Sequence, residues 1–359
     1  MAKRKPIAVG IVGLGRAGWG MHVPELRKWE DEFRIAAGCD IAEDRRKRFA
    51  AAYPVPVYER IEDLIADPSV ELVDIATRSP DHFAHAMMAL RAGKHVNIEK
   101  PMCLTTSEAK RMQALAEKSP GNLYVRHNRR FDPDFLHVKE IIASGVLGDV
   151  YEAKLSRMGY ARRDDWQTLV DCGGGQLLNW GPHIVDHATQ LLGAPVAEMW
   201  SDLKLIAAVG DAEDHLVIKL KGANGRVIEV EISGGSALPQ PEYVILGTKG
   251  AMTVQGGEIR LKYIDPKKKL PKRTANAGNP GEHFGTPEKL PWIEQTLPIK
   301  PSKTYNIWHE VYRSIRFGSR YPITLDEAVA NMKILWDAKR RSEFAPRPEK
   351  AAKKSGRKK

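Results

Sequence analysis

Cysteine is scarce in this sequence: Cys39, Cys103 and Cys172 are the only three in 359 residues, and they lie far apart. That excludes a disulfide framework and a paired-cysteine zinc site, and it fits a reducing cytoplasm. Long hydrophobic runs are missing too. No stretch approaches the roughly 20 apolar residues of a membrane span. Ile7–Val12, behind Lys3-Arg4-Lys5, is too short for the apolar segment of an export signal. Charge balance is the third thing lacking, since the net charge is +11. Spread over a surface, that excess would suggest nucleic acid. Instead nine of the eleven charges fall on Lys3–Lys5 and the last fifteen residues, so the body is near neutral. Residues 346–359 read as a solvated, disordered basic tail, and neither a nucleic-acid nor a membrane partner is expected.

What is present is an ordinary soluble composition, 42% apolar and 28% charged, on a length that suggests two domains. The chain starts with a β-branched run at Ile7–Val12, the pattern of a buried parallel strand, followed by Gly13-Leu-Gly15-Arg16-Ala17-Gly18 and a helix through His22, Leu26 and Trp29. Gly13 permits the tight turn, Gly15 lets backbone approach a pyrophosphate, and Gly18 lets helix and strand pack closely. Alone that motif is weak. A second strand ending in Cys39 brings Asp40 twenty-two residues after Gly18, where a carboxylate would receive ribose hydroxyls and favour NAD. The plainer reading of Asp40 is a cap for the next helix, and Arg45 and Arg46 keep NADP open.

Alternation continues with a helix at 61–66, a strand at 71–76, a helix at 83–92 and a strand at 95–99, which means a doubly wound sheet with ligand at the carboxyl ends of its strands. Thr77, His82, Glu99 and Lys100 fall on that edge. A lysine there can stabilise an alkoxide as hydride leaves, although most lysines are simply surface residues.

Here the sequence resembles the Gfo/Idh/MocA oxidoreductases, from about residue 6 to 343. Besides the glycines the likeness rests on Ala92–Val96, Glu99-Lys100-Pro101, Asn128-Arg-Arg-Phe-Asp-Pro133, Gly173–Gly175, Asn179, His183 and Asp186. It implies a Rossmann domain, taken as 1–127, with Gly13, Gly15, Arg16, Ala17, Gly18, Asp40, Thr77, His82, Glu99, Lys100 and Asn128 toward the cofactor. An α+β domain with a large open, mainly antiparallel sheet follows at 128–345. It also implies a nicotinamide cofactor, a homo-oligomer (dimer or tetramer), and redox chemistry on sugars or cyclitols, with Lys100 on the reacting oxygen and His183 as acid/base. One position departs from the family pattern: Asn179 stands where an aspartate is usual, and an amide can hydrogen-bond but cannot take a proton.

In the second half, 176–192 has the period of one helix, with His183, Asp186 and His187 on neighbouring rungs. Asp186 is read as orienting or structural, His187 as a satisfied buried histidine, and no metal is expected. Alternation at 150–158, 198–206, 215–220, 226–232, 243–246, 252–254 and 259–263 predicts antiparallel strands. A long loop follows at 264–291, then helices at 304–317 and 325–341, the last capped by Thr324 with Glu327. Tyr160, Arg162, Arg163 and Trp166 mix aromatic and charged groups as sugar sites do, and the paired arginines also suit a carboxylated substrate.

The expected function is NAD-dependent dehydrogenation of a secondary hydroxyl. The alternatives are a redox glycosidase that cycles its NAD, and a non-catalytic dinucleotide sensor.

Overall fold

The computed structural model describes residues 4–275, 277–278, 288–301 and 306–345. The expected basic tail at 346–359 lies outside them.

Six parallel strands form the first sheet: β1 Ile7–Val12, β2 Phe33–Cys39, β3 Val57–Tyr58, β4 Leu72–Ile75, β5 His95–Ile98 and β6 Leu123–Val125. Their order is β3-β2-β1-β4-β5-β6. β1 pairs with β2 on one side and β4 on the other, so the strand order reverses there and a crevice opens beyond the carboxyl ends. Every residue of β1 is buried, as a strand covered on both faces requires. The helix expected after β1 is present but irregular. Residues Gly18–His22 form a wide turn in which Val23 N–H reaches back to Gly18 O, and Val23–Leu26 and Arg27–Trp29 continue it. The wide turn carries His22 inward, fully buried against the sheet.

Eight strands form the second sheet: β7 Val150–Met158, β8 Val196–Lys204, β9 His215–Gly222, β10 Val227–Ser233, β11 Tyr243–Gly247, β12 Gly250–Gln255, β13 Glu258–Ile264 and β14 Trp292–Pro298. The order is β14-β13-β12-β11-β7-β10-β9-β8, antiparallel except for β7 beside β10. Residues 216, 218 and 220 of β9 and 228, 230 and 232 of β10 are buried on one face, with partly or fully exposed residues between them. The period-two pattern therefore describes a sheet packed on one side.

Two expectations need correction. The single helix over 176–192 is two, Gln176–Asn179 and Gly181–Leu192, broken at Trp180. Pro182 has no N–H to continue the ladder, and a proline is at home in a helix's first turn. β14 was not anticipated, because its sequence shows little apolar alternation. It exists as an edge strand paired along β13, with Glu294 bridged to Lys262 at 2.5 Å.

The first closing helix packs back on the first sheet, and the second bridges the two halves, lying against Thr106–Ala116 and Gly181–Leu192. Ile307–Phe317 starts from Asn306 and buries Trp308, Val311 and Tyr312 in one cluster with Ile7, Ile11 and Phe33. Leu325–Arg340 has the expected capping box, with Glu327 N–H on Thr324 Oγ1 at 3.2 Å and Thr324 N–H on a Glu327 carboxylate oxygen at 2.9 Å. Among the described residues no helix is long and apolar enough to cross a membrane.

Candidate active site

The crevice starts at the glycine turn. A Cβ on Gly13, whose φ is +94°, would sit 2.6 Å from Ala76 O, and one on Gly18 would sit 2.0 Å from Gly13 O, so the protein's own packing demands both glycines. Gly15 differs, since a Cβ there meets only the Arg45 side chain, at 3.4 Å. Within the described residues the Gly15, Arg16 and Ala17 amides donate to no protein acceptor. Open space above Gly15 and unmet N–H groups at a helix start fit a dinucleotide's pyrophosphate.

Asp40 closes this end at 6% exposure. Its Oδ2 accepts from Leu14 N–H at 2.8 Å and from Arg45 at 3.3 Å, and its Oδ1 from Ala42 N–H at 2.9 Å. Helix Glu43–Ala52 starts at Ala42 without a side-chain cap, so Asp40 turns the chain ahead of the helix and does not cap it. Arg46 is held by Glu59 and two carbonyls, leaving Arg45 as the more exposed guanidinium.

Further along the edge, Thr77 Oγ1 lies 3.2 Å from His85 Nδ1. The His82 ring nitrogens lie 2.7 Å from Pro101 O and 3.1 Å from Thr77 O, which ties the two loops together and leaves neither nitrogen for a ligand. Asn128, partly exposed, opens the short turn Asn128–Phe131 beyond β6.

Glu99 and Lys100 follow β5. Glu99 Oε1 lies 2.9 Å from His22 Nε2 and 3.0 Å from Arg126 Nε, while its Oε2 accepts from Lys100 N–H at 3.2 Å. The other His22 nitrogen lies 2.7 Å from Asp74, whose second oxygen accepts from Asn97 at 2.7 Å. Burial pulls the His22 pKa down, but Asp74 and the hydrogen bonds to both carboxylates raise it to about 9. Burial likewise disfavours the Glu99 carboxylate, yet His22 and Arg126 hold it well below the usual range. Arg126 continues the chain of charge to Glu25, which also accepts from Trp308 Nε1 at 2.8 Å.

Lys100 Nζ crosses the cleft and donates to Asn179 O at 3.0 Å. Burial, with the Arg129 and Arg16 charges, lowers its pKa against the pull of Glu99. His183 stands four residues beyond Asn179, buried, with Nδ1 lacking any hydrogen-bond partner among the described residues. Burial, then the Lys100 and Arg129 charges, hold its pKa well below the ordinary value, so the imidazole is neutral. Asp186 does not orient it: Arg130 grips both Asp186 oxygens and reaches Glu327 at 3.0 Å, joining the two long helices. His187 stacks on Phe135, lies 3.0 Å from the Tyr243 hydroxyl and 2.8 Å from Arg129 O, and burial takes its pKa to about 4.

The four expected substrate residues part company. Arg163 lines a small cleft with Gln176, Asn179 and Asp214, but its guanidinium is engaged by Asp165 and Gln167. Trp166 lies under Arg78, whose Cζ is 5.7 Å from the ring centroid, while Tyr160 and Arg162 are exposed. Sequence reasoning missed His22, Asp74, Asn97 and Arg126 below the site, and Arg157 and Trp180 within it. Signals existed. Asp74 and Asn97 interrupt apolar strands, and Arg157 shares the strand parity of buried Ala153 and Leu155.

Comparison with known proteins agrees with this geometry. Residues 7–127 match the oxidoreductase family with an NAD-binding Rossmann fold, and 135–253 match the GFO/IDH/MocA C-terminal domain. An uncharacterized oxidoreductase of Schizosaccharomyces pombe is 31% identical over 83% of this chain and 84% of its own. The scyllo-inositol 2-dehydrogenase (NADP(+)) IolW of Bacillus subtilis is 29% identical over 92% of each chain. A crystal structure of an NAD-binding protein from Listeria innocua superposes with a TM-score of 0.79, at 24% identity over 93% of this chain and 97% of its own, and shares the fold. With its open glycine turn and both halves matched, the chain belongs to the Gfo/Idh/MocA family of NAD(P)-binding oxidoreductases.

Proposed function

We propose that this protein is a dehydrogenase that moves hydride from the carbon bearing a secondary hydroxyl of a sugar, glycoside or cyclitol to NAD. The observation that carries this reading is the convergence of Lys100 and His183 from the two sheets' halves of the molecule, with Lys100 anchored to Asn179 O and acting as the foremost charge on the imidazole. A neutral, buried His183 is in the state to accept the hydroxyl proton, and the Lys100 ammonium stabilises the alkoxide oxygen that results. The nicotinamide supplies the hydride acceptor. Asn179 contributes its main-chain carbonyl to Lys100, and its side-chain amide cannot serve as a second base. Of the four expected substrate residues, Arg163 is the one that lines the small cleft beside Asn179.

NAD is favoured over NADP because the Asp40 carboxylate closes the adenosine end and Arg46 is already held by Glu59. A homo-oligomer formed through the outer face of the eight-strand sheet is part of this reading, supported by Trp200, which is exposed there, and Val217, Val244 and Leu246, which are partly so. Sedimentation of the purified chain should show a dimer or tetramer, and a monomer at micromolar concentration would remove that assignment. For the chemistry, the protein is mixed with NAD and a panel of pyranoses, glycosides and inositols while reduced cofactor is followed by absorbance. Turnover of at least one is expected. Silence across the panel, with NAD bound, counts against dehydrogenation.

A further inference from the structure

Around Trp180 the cleft holds more positive charge than its own acids neutralise. Arg157 projects from the inward side of β7, and its Cζ lies 3.5 Å from the Trp180 ring centroid. Arg129 reaches the same ring, at 4.5 Å. That ring's centroid is 5.8 Å from the centroid of the His183 imidazole, so both guanidiniums stand beside the reacting centre. Lys100 adds a third cation on the same side.

The acids nearby are mostly taken. Glu99 is shared between His22 and Arg126, and Asp186 is gripped by Arg130. Asp132 pairs with Arg129 at 2.8 Å. Position 179, an asparagine, offers no charge. Lys100 faces the oxygen where negative charge develops, which leaves one guanidinium uncompensated. Arg157 makes no ion pair among the described residues, feels Asp132 and Glu242 only at a distance, is repelled by Arg129, and remains exposed to an incoming ligand. Stacking on the indole fixes the plane of the guanidinium and leaves its edge donors free, the presentation that receives a carboxylate through two parallel hydrogen bonds.

We propose that the substrate is an acid, a sugar acid or a polyhydroxylated ring carboxylate, whose single negative charge is received by Arg157 beside Arg129. This rests on the dehydrogenase reading and narrows its substrate class. It also moves the carboxylate site from Arg162 and Arg163, the pair suggested by sequence, to two arginines that the fold brings together.

The test uses the NAD-loaded full chain and two matched pairs, glucuronate against glucose and quinate against myo-inositol, with glucose 6-phosphate as a second anion. Binding is measured by calorimetry and turnover by cofactor reduction, for the wild type, Arg157→Met and Arg157→Lys. At least one acid should bind about 30-fold more tightly than its neutral partner, the worth of a charge-assisted contact. Arg157→Met should remove that ratio and Arg157→Lys restore part of it. Because each ratio is taken within one protein, a general loss of stability does not imitate the result. Equal binding of acids and neutral polyols by the wild type, or an acid preference untouched in Arg157→Met, overturns the proposal. Tighter binding of the sugar phosphate than of glucuronate overturns the carboxylate assignment. If an acid binds as expected but no compound reduces NAD, the dehydrogenase reading fails and the charge inference stands. If only neutral polyols bind and react, the reverse holds.

Discussion

On the wall of the cleft built from the parallel sheet, Glu99 shares its carboxylate between His22 and Arg126, and Asp74 takes the other nitrogen of His22. On the facing wall Arg157 lies over Trp180 and pairs with no acid among the described residues. The first group is buried and closed on itself, and the second is open to the cleft. A buried set of charges is tolerated only when each member has its partner, so the first wall gains a fixed geometry for the Lys100 backbone. An unpaired charge at an exposed position holds no such frame together, and a substrate carboxylate is the partner proposed for it above. Lys100 lies between these regimes: its main chain is held by the closed network, while its ammonium reaches across to Asn179.

The largest expected effect comes from removing that crossing. Lys100→Met keeps most of the side-chain volume and deletes the charge proposed to meet the alkoxide, so kcat on whichever substrate the panel identifies should fall by about 10³-fold. Cofactor affinity should stay within a few-fold, since the glycine turn and Asp40 are untouched. A fall of less than tenfold would place Lys100 in the frame of the cleft and not in its chemistry.

A smaller effect sharpens the closed side of the comparison. The folded state raises His22 from 6.5 to about 9, where its neighbours are Asp74, Glu99 and Arg126 and the edge of the Trp308 ring. A group whose pKa is raised on folding contributes stability in full below its unfolded value and loses it as pH climbs through the folded one. Wild-type stability should therefore drop by about 3 kcal/mol between pH 6 and pH 10 from this residue alone. In urea titrations His22→Gln should start lower at pH 6 and lack this part of the slope. Parallel curves for the two proteins would show that the imidazole is neutral between its two carboxylates.

The sequence made local features legible and left juxtapositions hidden. β1 and its glycine turn are read from six contiguous apolar residues and fixed glycine spacing. The Thr324 and Glu327 cap likewise needs only neighbours three apart. The break at Trp180 had a signal in Pro182, but the amphipathic period over 176–192 concealed it. β14 had none, because an edge strand is recruited by its partner and not by its own pattern. The network under Lys100 draws His22, Asp74, Glu99, Arg126 and Glu25 from separate elements, and only the stacking of those elements makes them one group. Arg157 was within reach: its parity in β7 marks a charge on the inward face, which a core strand does not carry without reason.

The smallest effect concerns the adenosine end, where closed and open regimes meet in one residue pair. Asp40 is buried and already accepts from Leu14, Ala42 and Arg45, yet a carboxylate has about four acceptor positions, so room for a ribose hydroxyl remains. Arg45, half exposed, is the group a 2′-phosphate would meet. If Asp40 discriminates, the wild type should bind NAD more tightly than NADP. Asp40→Ser should then weaken NAD by about tenfold and strengthen NADP by a similar factor, as repulsion is removed and Arg45 released. Losing the carboxylate that accepts from the Leu14 and Ala42 amides should also cost about 1 kcal/mol of stability, which a melting curve separates from the binding change. Equilibrium titration of both proteins with both cofactors decides the matter. Equal wild-type affinities would leave Asp40 the task of turning the chain into the helix Glu43–Ala52, and the choice of dinucleotide would pass to Arg45.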